Sequence, residues 1–307
     1  MRITDIIEVI KSGRGKDINR VAKDVDGADI KMLQDAIIKT ENEEYIYLFA
    51  KNLEGADIEK LQAAIIETGD IEYIFRFAKD VKGADINKLQ DAIQDAIQDA
   101  VQDAVENPRI KTKIAEYAEC IYNFAMSVKG ANIDKLEDII IELDQKRWVC
   151  YFAKDVKGAN IDKLGNFMIA TKDSGWIRQI AEYASTGING EDINKLQAAI
   201  NKLQEEIIKL NDAEEIFIFA KDVNGADIKK LQEKIIKIGN AEYIYRFAKD
   251  VKGADIYKLQ NAIIETRNAE YIDKFTGILW ANKDKLKKAL RELENTAEEE
   301  APNGLGL

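Results

Sequence analysis

A tetrad, Gly-Ala-Asp/Asn-Ile, returns along this chain at Gly27, Gly55, Gly83, Gly130, Gly158, Gly225 and Gly253, with Gly190-Glu191-Asp192-Ile193 as a variant. The spacings are 28, 28, 47, 28, 32, 35 and 28 residues, so the unit is 28 residues with insertions of 19, 4 and 7. Self-similarity at such a period marks a chain that stacks one supersecondary unit on the next. Six of the eight tetrads follow variants of one helical run, clearest at Phe77-Ala78-Lys79-Asp80-Val81 and Phe247-Ala248-Lys249-Asp250-Val251.

Each unit reads as two short helices. In residues 240–253, Asn240 is a good N-cap, and Ile244, Phe247, Ala248 and Val251 recur with the helical period. Gly253 sits where the chain must turn through positive φ, and Asp255 caps a second helix carrying Ile256, Leu259, Ala262 and Ile263. Nothing in the unit alternates with period two, so no strand is expected. One unit buries too little apolar surface to offset the entropy of ordering it, and it gains the remainder by stacking on its neighbours. The expected fold is all-α: one α-solenoid of about nine stacked helical hairpins over residues 1–294, followed by a disordered acidic tail, 295–307. The first unit is partial, and residues 283–294 form a charged helix suited to a polar cap.

The repeat departs from itself mainly over residues 85–210. The 19-residue insertion copies Gln-Asp-Ala-Ile/Val four times from Gln90 to Val105 and is followed by Asn107-Pro108, where Pro108 can open a helix. Two consecutive helices are thus lengthened, and a hairpin at about 90–115 is expected to project roughly 15 Å beyond its neighbours. Asp91, Asp95, Asp99 and Asp103 form a slowly winding acidic column on it. Either this is a negative prong that mimics phosphates or docks on a basic protein surface, or it is a tandem duplication tolerated because its apolar pair was copied too. The second departure duplicates a heptad, residues 193–199 and then 200–206, which preserves the buried face. The third is the loop 171–175 before Trp176.

Aromatics two residues before the repeat Phe (Tyr47, Phe75, Tyr122, Phe217 and Tyr245) lie well away from the apolar stripe. They form either an exposed ladder for a partner or the filling of the seam between units. The residue after Asp/Asn-Ile is varied, from Lys31 and Glu59 to Tyr257, as a base-reading array requires, but the register as a whole is not basic. The repeated Lys-Asp pairs, such as Lys79-Asp80 and Lys249-Asp250, read as a surface ion-pair ladder.

Composition excludes much chemistry. There is no His, which removes serine triads, Cys-His dyads and His-ligated metals. Cys120 and Cys150 lie in apolar helical stretches and read as small buried hydrophobes rather than a disulfide framework. The net charge of −11 opposes a nucleic-acid footprint. It is also local: residues 85–106 hold six acids and one Lys, residues 292–307 hold five Glu and no base, and the rest is nearly neutral. Gly13-Arg14-Gly15-Lys16 lacks the other parts of a phosphate loop. The turns at 24–27 and 222–225 lack the end ligands of a calcium loop. No secretory h-region or bilayer-spanning run is present, so a cytoplasmic location is expected.

The Phe-Ala-Lys-Asp-Val-Lys-Gly-Ala-Asp-Ile unit resembles the short α-hairpin repeats of the HEAT-like and tetratricopeptide-like class over nearly the whole chain. It lacks the tetratricopeptide Trp-Leu-Gly-Tyr pattern and period. It is more similar to 28-residue arrays in uncharacterised proteins of phages and AT-rich bacteria, which implies an origin in such a genome and, on that origin, a host cytoplasm. The expected function is non-enzymatic protein binding, as an inhibitor, modulator or scaffold of a protein complex with a basic surface. No cofactor, metal, membrane or direct nucleic-acid partner is expected. The candidate contacts are Asp91, Asp95, Asp99, Asp103, Tyr47, Phe75, Tyr122, Trp176 and Tyr257. The alternatives are a nucleic-acid-binding or nucleic-acid-mimicking repeat and, third, a hydrolase with an unrecognised carboxylate site.

Overall fold

The computed structural model describes residues 14–24, 29–104, 108–186 and 193–300. It is all-helical among these residues, and the helices fall into two compact units, Met1–Ala159 and Asn160–Leu307. Unit 1 holds α1 (Gly15–Asp24), α2 (Ile30–Ile38), α3 (Glu43–Asn52), α4 (Ile58–Glu67), α5 (Ile71–Asp80), α6 (Ile86–Ala104), α7 (Pro108–Ser127), α8 (Ile133–Glu142) and α9 (Lys146–Asp155). Unit 2 holds α10 (Ile161–Thr171), α11 (Ser174–Ser185), α12 (Ile193–Leu210), α13 (Ala213–Asp222), α14 (Ile228–Ile238), α15 (Ala241–Asp250), α16 (Ile256–Glu265), α17 (Ala269–Phe275) and α18 (Lys283–Glu300).

Within each unit the odd- and even-numbered helices of successive hairpins pack side by side, giving the two layers of a helical solenoid. The last helix continues to Glu300, past the boundary at 294 expected from its composition. The remainder of the expected tail, 301–307, lies outside the described residues, as does the phosphate-loop-like Gly13.

The repeat Phe forms the spine of each unit. Phe49, Phe77, Phe124 and Phe152 in unit 1 and Phe219, Phe247 and Phe275 in unit 2 are fully buried. The Leu of each second helix, such as Leu61 and Leu259, is buried with them. The tetrad Asp or Asn caps that helix: Asp57 accepts from the Lys60 N–H at 3.1 Å, and Asp255 from Lys258 at 3.1 Å. Each such cap is worth about 1 kcal/mol.

The turn between the two helices of a hairpin requires a left-handed residue. Gly55, Gly83, Gly130 and Gly158 supply it in unit 1, and Gly225 and Gly253 in unit 2, with φ from 81° to 88°. The last hairpin of unit 2 puts Trp280 there, at φ 68°, a conformation that costs a residue bearing Cβ about 1–2 kcal/mol.

A buried glutamine ladder joins successive second helices. Gln62 Oε1 accepts from the Asp85 N–H at 2.8 Å, and its amide donates to the Asp85 carbonyl at 3.4 Å. Gln34 clips Asp57 in the same way, and Gln90 clips Asn132 across the long insertion. In unit 2 the partners are Gln204 with Asp227, Gln232 with Asp255 and Gln260 with Asn282. All six glutamines are buried, so each clip replaces hydrogen bonds that water no longer supplies. The heptad duplication hands this task on: Gln204 of the second copy makes the clip, while Gln197 of the first donates to the Gly225 carbonyl at 2.8 Å.

Candidate partner-binding surface

The long hairpin is α6 with α7. At 19 residues α6 exceeds the ten-residue α4 by about 13 Å of helix, and α7 packs along it. Burial along α6 fades with distance from the repeat: Leu89, Gln90, Ile93 and Ile97 are buried, Val101 is half-buried, and Gln98 and Gln102 are exposed.

All four carboxylates of the acidic column are exposed. They are not equivalent. Asp91 pairs with Lys135 of α8 at 2.6 Å, in the same place where Asp35 meets Lys60 at 3.6 Å and Glu205 meets Lys230. It therefore belongs to the repeat's own ion-pair ladder between second helices. Asp95, Asp99 and Asp103 have no ion pair among the described residues and present three carboxylates to solvent along the projecting part of α6. The four share one sequence context, and only the neighbouring helix α8 distinguishes the acid that the next repeat uses.

The aromatics lie in the seam between first helices, not on an open ladder. Tyr47 and Phe217 are only 7% exposed. Tyr47 packs edge-on against Tyr73 at 6.2 Å, Phe75 against Phe124 at 5.9 Å, and Tyr122 against Trp148 at 5.4 Å. Phe217 with Tyr243 and Tyr245 with Tyr271 repeat this in unit 2. Cations cover outer rings: Arg76 sits 5.0 Å from the Tyr73 ring centre, Lys79 5.7 Å from Phe75 and Lys249 5.9 Å from Tyr245. An aromatic covered in this way is not an open stacking platform for a base.

These contacts also redraw the expected Lys-Asp ladder. Asp80 takes Lys51 of α3 at 2.8 Å and accepts from the Tyr47 hydroxyl, while Lys79 turns to Phe75. Asp155 likewise accepts from Tyr122 at 3.0 Å. Burial first, and then the hydrogen bond to the carboxylate, push both tyrosine hydroxyls above their ordinary pKa.

Trp176 is half-buried in the first turn of α11, its N–H bonded to the Asp173 cap at 3.2 Å. Tyr257 is 66% exposed in the first turn of α16. The structure brings Tyr47, Phe75 and Tyr122 into the seam of unit 1 and does not join them to the acidic column, which lies on the second-helix side.

A cleft of about 500 Å³ opens between the first turn of α5 and α7, lined by Asp70, Glu72, Lys113, Glu116, Tyr117 and Glu119. Two of its carboxylates already serve the fold: Asp70 caps α5 by accepting from Tyr73 at 3.0 Å, and Glu72 holds Arg76. Cys120 at its floor donates to the Ile71 carbonyl at 3.8 Å. Burial, reinforced by Glu72, Asp70 and Glu119, pushes its thiol up to about 12, and burial alone does the same to Cys150. Both are therefore unreactive packing residues at neutral pH. Among the described residues no group of three or more Cys, Asp or Glu could hold a metal ion, and no helix is long and apolar enough to cross a membrane.

Two features of the structure lie outside the candidates expected from sequence, the glutamine clips and the exposed pair Leu279-Trp280. The first had a signal in the Lys-Leu-Gln that recurs with the tetrad, and the second in the loss of Gly at the turn.

No family model matches this chain, and no curated protein matches it. Among solved structures, a protein described under "Computational Design of Self-Assembling Cyclic Protein Homooligomers" aligns with 95% of this chain and 97% of its own at 19% identity. Its TM-score is 0.12, at which the alignment carries no argument about fold or assembly.

Proposed function

We propose that this chain is a non-enzymatic protein-binding repeat protein whose projecting α6–α7 hairpin engages a partner with a basic surface. The supporting observation is the division within the acidic column. Asp91 serves the repeat, whereas Asp95, Asp99 and Asp103 stand exposed on the projecting part of α6 without an ion pair among the described residues. Three like charges four residues apart repel one another mildly, and a cationic surface relieves that repulsion while steering the encounter. The cation-covered, seam-packed aromatics favour this reading over one that stacks nucleic-acid bases. With the resemblance to phage repeat arrays, the partner is a host protein complex and the chain its inhibitor or modulator in the host cytoplasm.

The test is affinity capture from host lysate with the intact chain, followed by measurement of binding to the captured protein. Asp95→Asn/Asp99→Asn/Asp103→Asn should weaken binding about tenfold or more and flatten its salt dependence. Asp91→Asn should leave affinity unchanged. A basic partner that binds the triple variant as tightly as the parent would overturn the reading.

A further inference from the structure

At the turn between the two helices of a hairpin, the repeat places a polar residue and Gly: Lys82-Gly83, Lys129-Gly130, Lys157-Gly158, Asn224-Gly225 and Lys252-Gly253. The last hairpin of unit 2 places Leu279-Trp280 at this turn, and both are solvent-exposed, at 72% and 74%. Trp280 takes the left-handed conformation of the glycine it replaces. A Cβ added at Gly253 would meet nothing within 4 Å, and the same holds at Gly55, Gly83, Gly130 and Gly158, whereas at Gly225 it would meet Gln197 of the duplicated heptad. A bulky apolar pair held outward at this turn adds nothing to the core. Among the described residues, the other non-Gly residues at positive φ, Glu41, Asp144, Lys172, Asn211 and Arg267, are all polar.

The charges beside it point the same way. The first nine residues of α18 carry Lys283, Lys285, Lys287, Lys288 and Arg291 against the single carboxylate Asp284. Cations at a helix N-terminus oppose its dipole. The first helices α13 and α15 have the favourable order, with Glu214 and Glu215 opening α13 and Lys221 closing it, and Glu242 opening α15 and Lys249 closing it. The second helices α14 and α16 also open on lysine, at Lys229, Lys230 and Lys258, but neither gathers five cations in nine residues as α18 does. The glutamine clip from Gln260 to the Asn282 N–H, at 2.6 Å, brings the first turn of α16 to this edge, and with it the exposed Tyr257. Exposed Lys252 and Lys258 flank it, and the local carboxylates are Asp255, which caps α16, and Asp284.

We propose that Leu279, Trp280 and Tyr257, ringed by the lysines of α18, form a docking tip for an anionic lipid surface. The apolar pair enters the headgroup boundary, Tyr257 lies at its level, and the ammonium groups meet the lipid phosphates and carboxylates. A convex tip suits a bilayer, which offers no pocket and yields to an inserted side chain. This is attachment from one side, so it needs no spanning segment. The expectation of no membrane partner rests on the lack of such a segment, and the proposal departs from it on the exposure of this turn. The proposal is independent of the acidic hairpin in unit 1.

The test is co-sedimentation of the full chain with sucrose-loaded vesicles of equal parts phosphatidylcholine and phosphatidylserine, beside vesicles of phosphatidylcholine alone. The parent should bind the anionic vesicles, bind the neutral ones far more weakly, and lose binding as salt rises. Leu279→Lys/Trp280→Gly, which installs the turn used at Lys252-Gly253, should keep the circular dichroism spectrum and weaken vesicle binding about tenfold or more. Lys283→Gln/Lys285→Gln/Lys287→Gln should weaken it with Leu279 and Trp280 intact. Failure of the parent to bind anionic vesicles, equal binding to both vesicle types, or unchanged binding by either variant overturns the proposal. So does a chain that ignores vesicles but uses this pair to self-associate or to hold an acidic protein.

Discussion

Two second helices are lengthened beyond the repeat, α6 in unit 1 and α12 in unit 2, and they differ in where the added residues go. In α12 the extra heptad stays buried: Leu196, Ala199, Ile200, Leu203, Gln204 and Ile207 all face the core. In α6 the added tetrads leave it. Gln90 is buried, Gln94 half-buried, and Gln98 and Gln102 exposed, although all four stand in the same Gln-Asp-Ala-Ile/Val context. Helical geometry accounts for the contrast. At about 100° per residue, seven residues return to within about 20° of the starting direction, while four overshoot by about 40° each time. A heptad therefore lengthens what is buried, and successive tetrads wind the same pattern out of the core. The insertion that drifts is the one that yields an exposed acidic strip.

The largest effect that tests this contrast is in the two cores. Leu203→Ala in α12 should cost about 2–5 kcal/mol, whereas Val101→Ala in α6, half-buried at the same kind of position, should cost less than about 1 kcal/mol. Urea unfolding of both variants measures the gap, and equal costs would break the comparison. The glutamines sharpen it next. Gln232→Ala strips the Asp255 N–H of its buried acceptor and should cost about 1–3 kcal/mol, with faster hydrogen exchange at Asp255. Gln98→Ala, from the wound-out copy, should change neither. Trp280→Gly should stabilise unit 2 by about 1 kcal/mol, seen as a higher thermal midpoint, because it restores the residue the turn uses elsewhere.

The smallest effect concerns Asp80, the last residue of α5. Burial pulls its carboxyl upward, but hydrogen bonds from Lys51 and Tyr47 and the Lys51 charge outweigh it and hold the group below its ordinary value. A carboxyl depressed in the folded state stabilises above its unfolded pKa, and that contribution is lost as pH falls through the folded value. Asp80→Asn should therefore lower stability slightly at neutral pH and leave stability in strong acid unchanged. A pH series of thermal midpoints reads this.

The hairpins themselves were legible in the sequence because their determinants are local. The caps at Asp57 and Asp255, the turn at Gly253 and the Phe-Ala face need only neighbours within a helical turn or two. Pro108 opens α7 for the same reason. The clips were legible only as a recurring Lys-Leu-Gln, without their burial or their partners. Glutamine is ordinarily a surface residue, and the partner of Gln62 lies 23 residues ahead on another helix. The seam was legible only as one of two readings, since a helix wheel places Tyr47 off the main stripe but does not show that Tyr73 and Asp80 of the next helix close over it. Asp91 and Asp95 look alike in sequence, and Lys135 of α8 alone tells them apart.

The 28-residue period thus determined the helical hairpins, their caps and turns, and the place where an insertion must fall, because backbone propensity and apolar spacing act over a few residues. Tertiary structure decided what each copied residue does. Burial depends on which helix lies opposite, so one motif yields a buried clip at Gln90 and a solvated side chain at Gln98. One turn likewise holds a silent glycine at Gly253 and an exposed anchor at Trp280.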